Sequence, residues 1–332
     1  MQILSPAYYH SFRCLAAACP DSCCKEWAVQ IDDDSAQRYR SLPGELGDAL
    51  RQALTIEDGD TILALAPDRR CPMWQDNRLC RIQAELGEDW LCHTCRQFPR
   101  LRHDYGDFVE LGLELSCPEA ARLILSDSMQ EIVTEQLPGG DTLEYDATAM
   151  AVLRRSRETA LHFLHSTDYP VGQALAILLL YGHAVQNELD GGEEAIFDPA
   201  ALLAEARSLA TGGSMDQLLE FFSTLEILTP AWRSRLAHPS PSPWCEELRT
   251  MARYFIQRYW LQAVSDYDLI SRVKLTVTSC LVVKALGGDI LETAQLYSKE
   301  IENDANNLDA ILDGAYTSPA LTDLSMLSLL LS

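Results

Sequence analysis

Nine of the eleven cysteines fall within the first 117 of 332 residues: Cys14, Cys19, Cys23, Cys24, Cys71, Cys80, Cys92, Cys95 and Cys117. Thiols this dense are oxidised to disulfides, committed to a metal, or buried as small apolar side chains, and each choice restricts the fold differently. A disulfide framework fits poorly. Nine is an odd number, the chain is long, and Met1-Gln2-Ile3-Leu4-Ser5-Pro6 offers neither the basic nor the apolar part of an export signal. The longest apolar runs, around residues 174–181 and 327–331, fall well short of the roughly 20 residues that span a bilayer. The reading is a cytoplasmic protein whose thiols are reduced unless a metal holds them. Cys245 and Cys280 stand apart from the nine and read as core residues.

The spacing favours a metal. Cys14-x4-Cys19-x3-Cys23-Cys24 is followed by Cys71-x8-Cys80-x11-Cys92-x2-Cys95 and then Cys117. Thiolates are soft ligands that suit zinc and iron–sulfur clusters. Pairs two or three residues apart converge on one centre from a turn, and two such knots close a four-thiolate site. The adjacent Cys23 and Cys24 diverge, so one ligates while the other packs, or the centre is polynuclear.

Charge adds a second constraint. The chain carries 49 acidic against 26 basic residues, a formal charge of −23. A nucleic-acid binder needs a basic face to displace counterions, and an anionic membrane repels such a chain, so neither is an expected partner. Yet between residues 69 and 102 seven arginines, Arg69, Arg70, Arg78, Arg81, Arg96, Arg100 and Arg102, face only four acids. Arg81 follows Cys80 and Arg96 follows Cys95. Guanidinium groups there favour thiolates and offset an anionic cluster, and they bind carboxylates bidentately. Arg81, Arg96 and Arg100 are the candidates for holding a small carboxylate cosubstrate, with pairing to the surplus acids as the alternative.

Along the chain, residues 27–31 read as a short strand ended by Asp32-Asp33-Asp34, which suits a loop or helix cap. Residues 35–54 read as helical with a break at Pro43-Gly44, 108–115 as a strand, and 119–136 as a helix opened by Pro118. Pro138-Gly139-Gly140-Asp141 reads as a turn and linker. Beyond it, helices are expected over 147–165, 171–188, 199–210, 215–228, 245–263, 265–286 and 289–305. The expected fold is mainly α, with a cysteine-rich, metal-organised N-terminal module carrying minor β structure (residues 1–137) packed on a helical C-terminal domain (138–332). His93, within Cys92-His93-Thr94-Cys95, suits a hydrogen-bonded structural role, and His162 and His165 read as ordinary helix residues.

The cysteine motifs resemble those of the flagellin lysine-N-methylases, a branch of the proteins with a cysteine-cluster, zinc- or iron-chelating domain. The matching stretches are Tyr8–Cys14, Cys19–Trp27, Cys71–Trp74, Leu79–Gln83, Leu86–Glu88, Cys92–Arg100 and Leu115–Arg122. The resemblance implies transfer of methyl groups from S-adenosylmethionine to flagellin lysines, and a [4Fe–4S] cluster, with zinc as the alternative metal, on four of the nine N-terminal cysteines. Which four stays open. The chain has no strand–Gly-x-Gly–helix turn of a Rossmann methyltransferase and no Cys-x3-Cys-x2-Cys triplet, so the reaction is implied by resemblance alone. A non-enzymatic zinc- or iron-binding interaction module is the competing reading.

Methyl transfer requires a neutral amine, whereas lysine has a pKa near 10.4. The site must either desolvate the amine or hold a carboxylate that takes its proton; for the latter, Asp32, Asp33, Asp34, Glu85, Glu88, Asp104, Asp107 and Glu110 lie near the cysteine motifs. Trp27, Trp74, Trp90, Phe98 and Tyr105 are available as aromatic walls for a cationic donor, although core packing is the commoner use of such rings.

Overall fold

The computed structural model describes residues 1–57, 59–126, 131–137 and 145–332. Among them the fold is mainly α, with seven short strands in two small sheets. The expected linker at Pro138–Asp141 lies outside the described residues.

The chain opens with β1 (Gln2–Pro6) and β2 (Val29–Gln30), then α1 (Asp33–Ser41) and α2 (Gly44–Ala53). β3 (Leu54–Glu57) and β4 (Asp60–Leu63) form a hairpin, and β2 joins its β4 edge. The short helices α3 (Arg81–Leu86) and α4 (His93–Gln97) follow, then β5 (Arg100–Asp104), β6 (Phe108–Leu113), α5 (Pro118–Ser126) and β7 (Ile132–Gln136). The larger sheet has the order β5-β6-β1-β7, with β1 parallel to β6 and antiparallel to β7. The helix expected over 119–136 is corrected: α5 ends at Ser126 and residues 132–136 pair with β1 as an exposed edge strand. Ile132, Val133 and Thr134 are β-branched, and the ladder to β1 supplies backbone partners that outweigh the helix formers around them.

The remaining helices are α6 (Ala147–His165), α7 (Val171–Leu189), α8 (Pro199–Leu209), α9 (Met215–Thr224), α10 (Pro230–Ala237), α11 (Glu246–Tyr259), α12 (Leu269–Leu286), α13 (Ile290–Ile301), α14 (Ala305–Thr317) and α15 (Asp323–Leu330). The expectation missed α10, α14 and α15. It also ran the helix over 245–263 through a 3-10 turn at Trp260–Val264 and began α12 four residues early. Local capping decides several starts. Asp146, Asp198, Asp268, Asp289 and Asp304 each accept a hydrogen bond from the first turn of the helix they precede, as Asp32 does for α1. Part of the acidic excess is thus spent on helix N-termini, where carboxylates satisfy orphan N–H groups and meet the positive end of the helix dipole.

Two cores result. α7 and α12 are buried on nearly every face and lie at the centre of the larger one, surrounded by other helices. Phe12, Phe108, Leu113 and Leu115 from the N-terminal region belong to that core as well. α5 packs against α11 and α13, which docks the end of the cysteine region onto the helical part. The smaller core, built from residues 29–92, gathers Val29, Ile31, Tyr39, Leu46, Leu50, Met73 and Ile82 around the buried Cys71 and Cys92. No helix among the described residues is long and apolar enough to cross a membrane.

Candidate functional site

The seam between the two cores opens into a cavity of about 340 Å³. Seven of the nine N-terminal cysteines line it: Cys14, Cys19, Cys23, Cys24, Cys80, Cys95 and Cys117. Cys71 and Cys92 do not line it but lie within electrostatic reach of those that do, Cys71 of Cys80 and Cys23, and Cys92 of Cys95. Four stretches far apart in sequence therefore deliver thiols to one place.

Backbone geometry explains how. Cys71 N–H donates to the Cys24 carbonyl at 2.7 Å, clasping the first knot to the second. Trp74 and Cys80 form an antiparallel bridge that closes the loop between them. Cys80 immediately precedes α3, and Cys92 precedes α4, so both stand at helix starts. Asp32 accepts from Ser35 N–H at 2.9 Å with one carboxylate oxygen and from His93 N–H at 2.8 Å with the other, capping α1 and steadying α4 together. This bond engages the His93 backbone and leaves the role of its imidazole open.

Ala16, Glu26, Arg69 and Arg78 adopt the left-handed region, with φ of 49°, 75°, 61° and 66°. Side chains other than glycine disfavour this region, and strained backbone of this kind gathers where function requires a fixed geometry. Glu26 and Arg69 support one another: Glu26 N–H donates to the Arg69 carbonyl at 2.7 Å, and the Arg69 guanidinium donates back to the Glu26 carbonyl at 3.0 Å. The Arg78 guanidinium donates to the Cys19 carbonyl.

Several of these thiols are biased toward the protonated form. Burial pushes Cys71 up to about 11 and Cys117 up to about 12, and raises Cys19 and Cys80 as well. Cys23 is raised by its hydrogen bond with Cys24 and by burial. In the Cys92–Cys95 pair the hydrogen bond between the thiols lowers Cys92 against its burial and raises Cys95, so a proton is shared in favour of Cys95. The donor set is chemically what an iron–sulfur cluster or zinc takes, since soft sulfur is abundant and binding would release the protons. Among the described residues no group of three or more His, Cys, Asp or Glu side chains is arranged so as to hold a metal ion.

The cavity is also charged. Arg13, Arg78, Arg96, Arg100 and Lys299 line it against the carboxylates of Asp21, Glu88 and Glu119. Of the three arginines expected to hold a cosubstrate, Arg96 and Arg100 line the cavity and Arg81 does not. Arg81 lies one residue past Cys80 on α3 and pairs with Glu85 at 2.6 Å, the i,i+4 partner that helix geometry places beside it. The Arg100 guanidinium lies over the Phe12 ring at 5.2 Å.

Most of the carboxylates singled out in the sequence are engaged elsewhere. Asp32 is the double cap, Glu85 pairs with Arg81, Asp104 with Arg102, and Asp107 accepts from the Tyr145 hydroxyl. Glu110 is buried in a two-pronged pair with Arg157. Only Glu88 among the eight reaches the cavity, placed there by Gly87, whose φ of 88° ends α3 and starts the next turn. Among the aromatics, Trp27, Trp74 and Phe98 line the cavity. Tyr105 stacks on Phe108 instead, and Trp90 carries the Arg38 guanidinium at 4.3 Å.

Sequence reasoning missed Asp21, Glu119, Arg13, Lys299 and Asn303, all of which line the cavity. Arg13, Asp21 and Glu119 sit inside the cysteine motifs and were within reach of that reading. Lys299 and Asn303 come from α13 and the residues after it, and no local signal marks them.

No family model and no solved structure matches the chain. Among curated proteins it is similar to the flagellar biosynthetic protein FliU of Salmonella muenchen, 32% identical over 138 residues, which cover 38% of this chain and 78% of that protein. It is also similar to the lysine-N-methylases of Salmonella typhimurium and Salmonella choleraesuis, each 34% identical over 132 residues that cover 38% of this chain. The chain spans about 33% of the length of each of these two methylases. With identity at this level across most of FliU, and with the cysteine motifs gathered at one cavity, the chain belongs to the flagellin lysine-N-methylase family.

Proposed function

We propose that the chain is a protein lysine N-methyltransferase that uses S-adenosylmethionine to methylate flagellin lysines and depends on a [4Fe–4S] cluster held by its N-terminal cysteines. The observation that carries this reading is the shared cavity, in which thiols, guanidinium groups and aromatic rings meet. The relatives named lysine-N-methylase supply the reaction, and the flagellar name of FliU supplies the substrate.

The residues divide the work as follows. Four of the nine N-terminal cysteines would hold the cluster, which when bound would supply a Lewis acid at the cavity. Arg96 and Arg100 take the donor carboxylate, because a planar guanidinium matches it bidentately. Trp27 and Phe98, with ring centroids 5.9 Å apart, offer faces that attract a sulfonium. Trp74 has its own face covered by Arg70, at 4.6 Å.

In the transfer the lysine nitrogen attacks the methyl carbon, the sulfur–methyl bond breaks, and its electron pair stays on sulfur as a neutral thioether. The nitrogen becomes a methylated ammonium. The incoming lysine must first lose a proton, and Glu88 is the cavity carboxylate with no ion-pair partner among the described residues, so it accepts that proton. Asp21 cannot do so, since it is held by Lys25 at 2.7 Å and Lys299 at 2.9 Å, nor can Glu119, which is paired with Arg122 at 2.7 Å.

The test is anaerobic purification, measurement of iron, sulfide and visible absorption, and incubation with flagellin and methyl-labelled donor. Iron-dependent label on flagellin lysines is expected. Full methylation by a colourless, iron-free preparation would remove the cluster from the proposal. An intact cluster with no label on any lysine-bearing flagellin would favour a non-enzymatic metal-binding module.

A further inference from the structure

Among the described residues, Lys299 is the one cavity-lining cation supplied by the helical part of the chain, and it is only 5% exposed. Its ammonium lies 2.9 Å from Asp21 and 2.7 Å from Glu26, at the two ends of the segment that carries Cys23 and Cys24. Asp21 is also held by Lys25 at 2.7 Å. One helical turn earlier on α13, Gln295 donates to the Ser116 carbonyl at 2.6 Å, beside Cys117, and to Asp21 at 3.3 Å. α13 thus grips two thiol-bearing stretches from one face. Glu26 is in the left-handed region, and its backbone is clasped to Arg69, two residues before Cys71. A strained, non-glycine corner needs an external hold to persist, and an ion pair shielded from water is stronger than an exposed one.

We propose that Lys299 is a positioning residue: its buried ion pairs with Asp21 and Glu26 fix the loop bearing Cys19, Cys23 and Cys24 in the orientation that turns these thiols into the cavity. The metal centre is then a property of both parts of the chain. Contacts within the cysteine region clasp the loop's backbone, and α13 adds the side-chain brace that fixes its orientation. This rests on the reading of the cavity as the metal centre, yet the positioning itself is measurable before any metal is added.

The experiment compares full-length wild-type protein with Lys299→Met, Lys299→Arg and Asp21→Asn, all metal-free and reduced. Each is pulsed with N-ethylmaleimide, and the modification rate is read at every cysteine by mass spectrometry. Local opening of the loop in Lys299→Met and Asp21→Asn should raise the rates at the half-buried Cys19 and Cys24 by about tenfold or more, whereas Cys23 is exposed already and serves as an internal reference. Rates at Cys71 and the fully buried Cys280 should stay near wild type, and Lys299→Arg, which keeps the charge, should recover most of the protection. A merely structural role would instead expose Cys280 together with the loop thiols. If Lys299→Met does unfold, Asp21→Asn decides, because it removes the loop's side of the pair and leaves Lys299 beside Glu26. Wild-type rates at Cys19 and Cys24 in a folded Asp21→Asn protein would overturn the proposal. A second measurement, iron taken up on anaerobic reconstitution, separates the two readings. Wild-type protein that binds no iron defeats the metal centre alone, whereas iron uptake by wild type that falls severalfold in Lys299→Met supports both.

Discussion

The carboxylate of Asp32 bonds to the backbone N–H of His93 at 2.8 Å while its other oxygen caps α1, so one side chain fixes the starts of two helices 61 residues apart. Because His93 lies between Cys92 and Cys95, this cap also sets the second thiol knot. Losing an N-cap costs about 1 kcal/mol, and Asp32→Ala removes two such bonds. Its expected destabilisation is about 2 kcal/mol by urea unfolding, together with faster alkylation of Cys92. Asp32→Asn retains an acceptor oxygen and should lose less than half as much. Equal losses in the two variants would mean that the charge, not the capping, matters.

Arg157 on α6 and Glu110 on β6 form the buried two-pronged pair at 2.5 and 2.8 Å, and the Arg157 guanidinium also donates to the Gln257 carbonyl at 3.3 Å. Removing one partner leaves an uncompensated charge away from water, at a cost of about 3–5 kcal/mol. Arg157→Met should therefore be markedly destabilising. Arg157→Met combined with Glu110→Leu should recover much of the loss. A double-mutant cycle by chemical denaturation gives the coupling, and additive single and double effects would contradict it.

Glu300 and Glu114 are carboxyls that the fold keeps protonated to unusually high pH. Burial pushes each up to about 7, for Glu300 against hydrogen bonds that include Leu228 N–H at 2.7 Å, and for Glu114 against the pull of Arg258. A folded-state pKa above the unfolded one means that the native state binds the proton more tightly. The associated stability is present below about pH 4.5 and is lost as pH rises to about 7. With 1.36 kcal/mol per pKa unit, each group accounts for at most about 3 kcal/mol of that decline. Glu300→Gln should flatten the stability profile between these limits, and a stability that rises over the same window in wild type but not in the variant would reverse the assignment.

Arg96 and Arg100 line the cavity and Arg81 does not, so the proposed function assigns them different effects. Arg96→Ala or Arg100→Ala should weaken binding of the methyl donor by about 1.5–3 kcal/mol, the worth of a hydrogen bond to a charged group. Isothermal titration with the donor, or KM for it, reads this. Arg81→Ala loses only a helix-surface pair with Glu85 and should stay within twofold of wild type.

The cysteines divide in the same way. Cys23→Ser and Cys80→Ser remove sulfur from the cavity and should abolish visible absorption and bound iron together. Cys245→Ser, outside the cavity lining, should keep both. Loss of iron in Cys245→Ser would redraw the site.

The sequence by itself determined what is local. The mainly α character, most of the long helices and the β6 strand into α5 follow from periodicity and from Pro118. The crowding of thiols among arginines marked residues 14–117 as the chemical part of the chain, because ligand type and spacing are written in order along it. Only the tertiary structure decided which of those groups meet. Arg81 and Arg96 follow cysteines alike, yet one turns to Glu85 and the other to the cavity, since a helix face rather than a neighbour in sequence sets direction. β7 becomes a strand because β1 lies beside it, a partner more than a hundred residues away. Lys299 reaches Asp21 across 278 residues, and no pattern in either segment announces the other. A buried ion pair of this kind is specified by the packing of α13 against α5, and packing is settled by the whole chain at once.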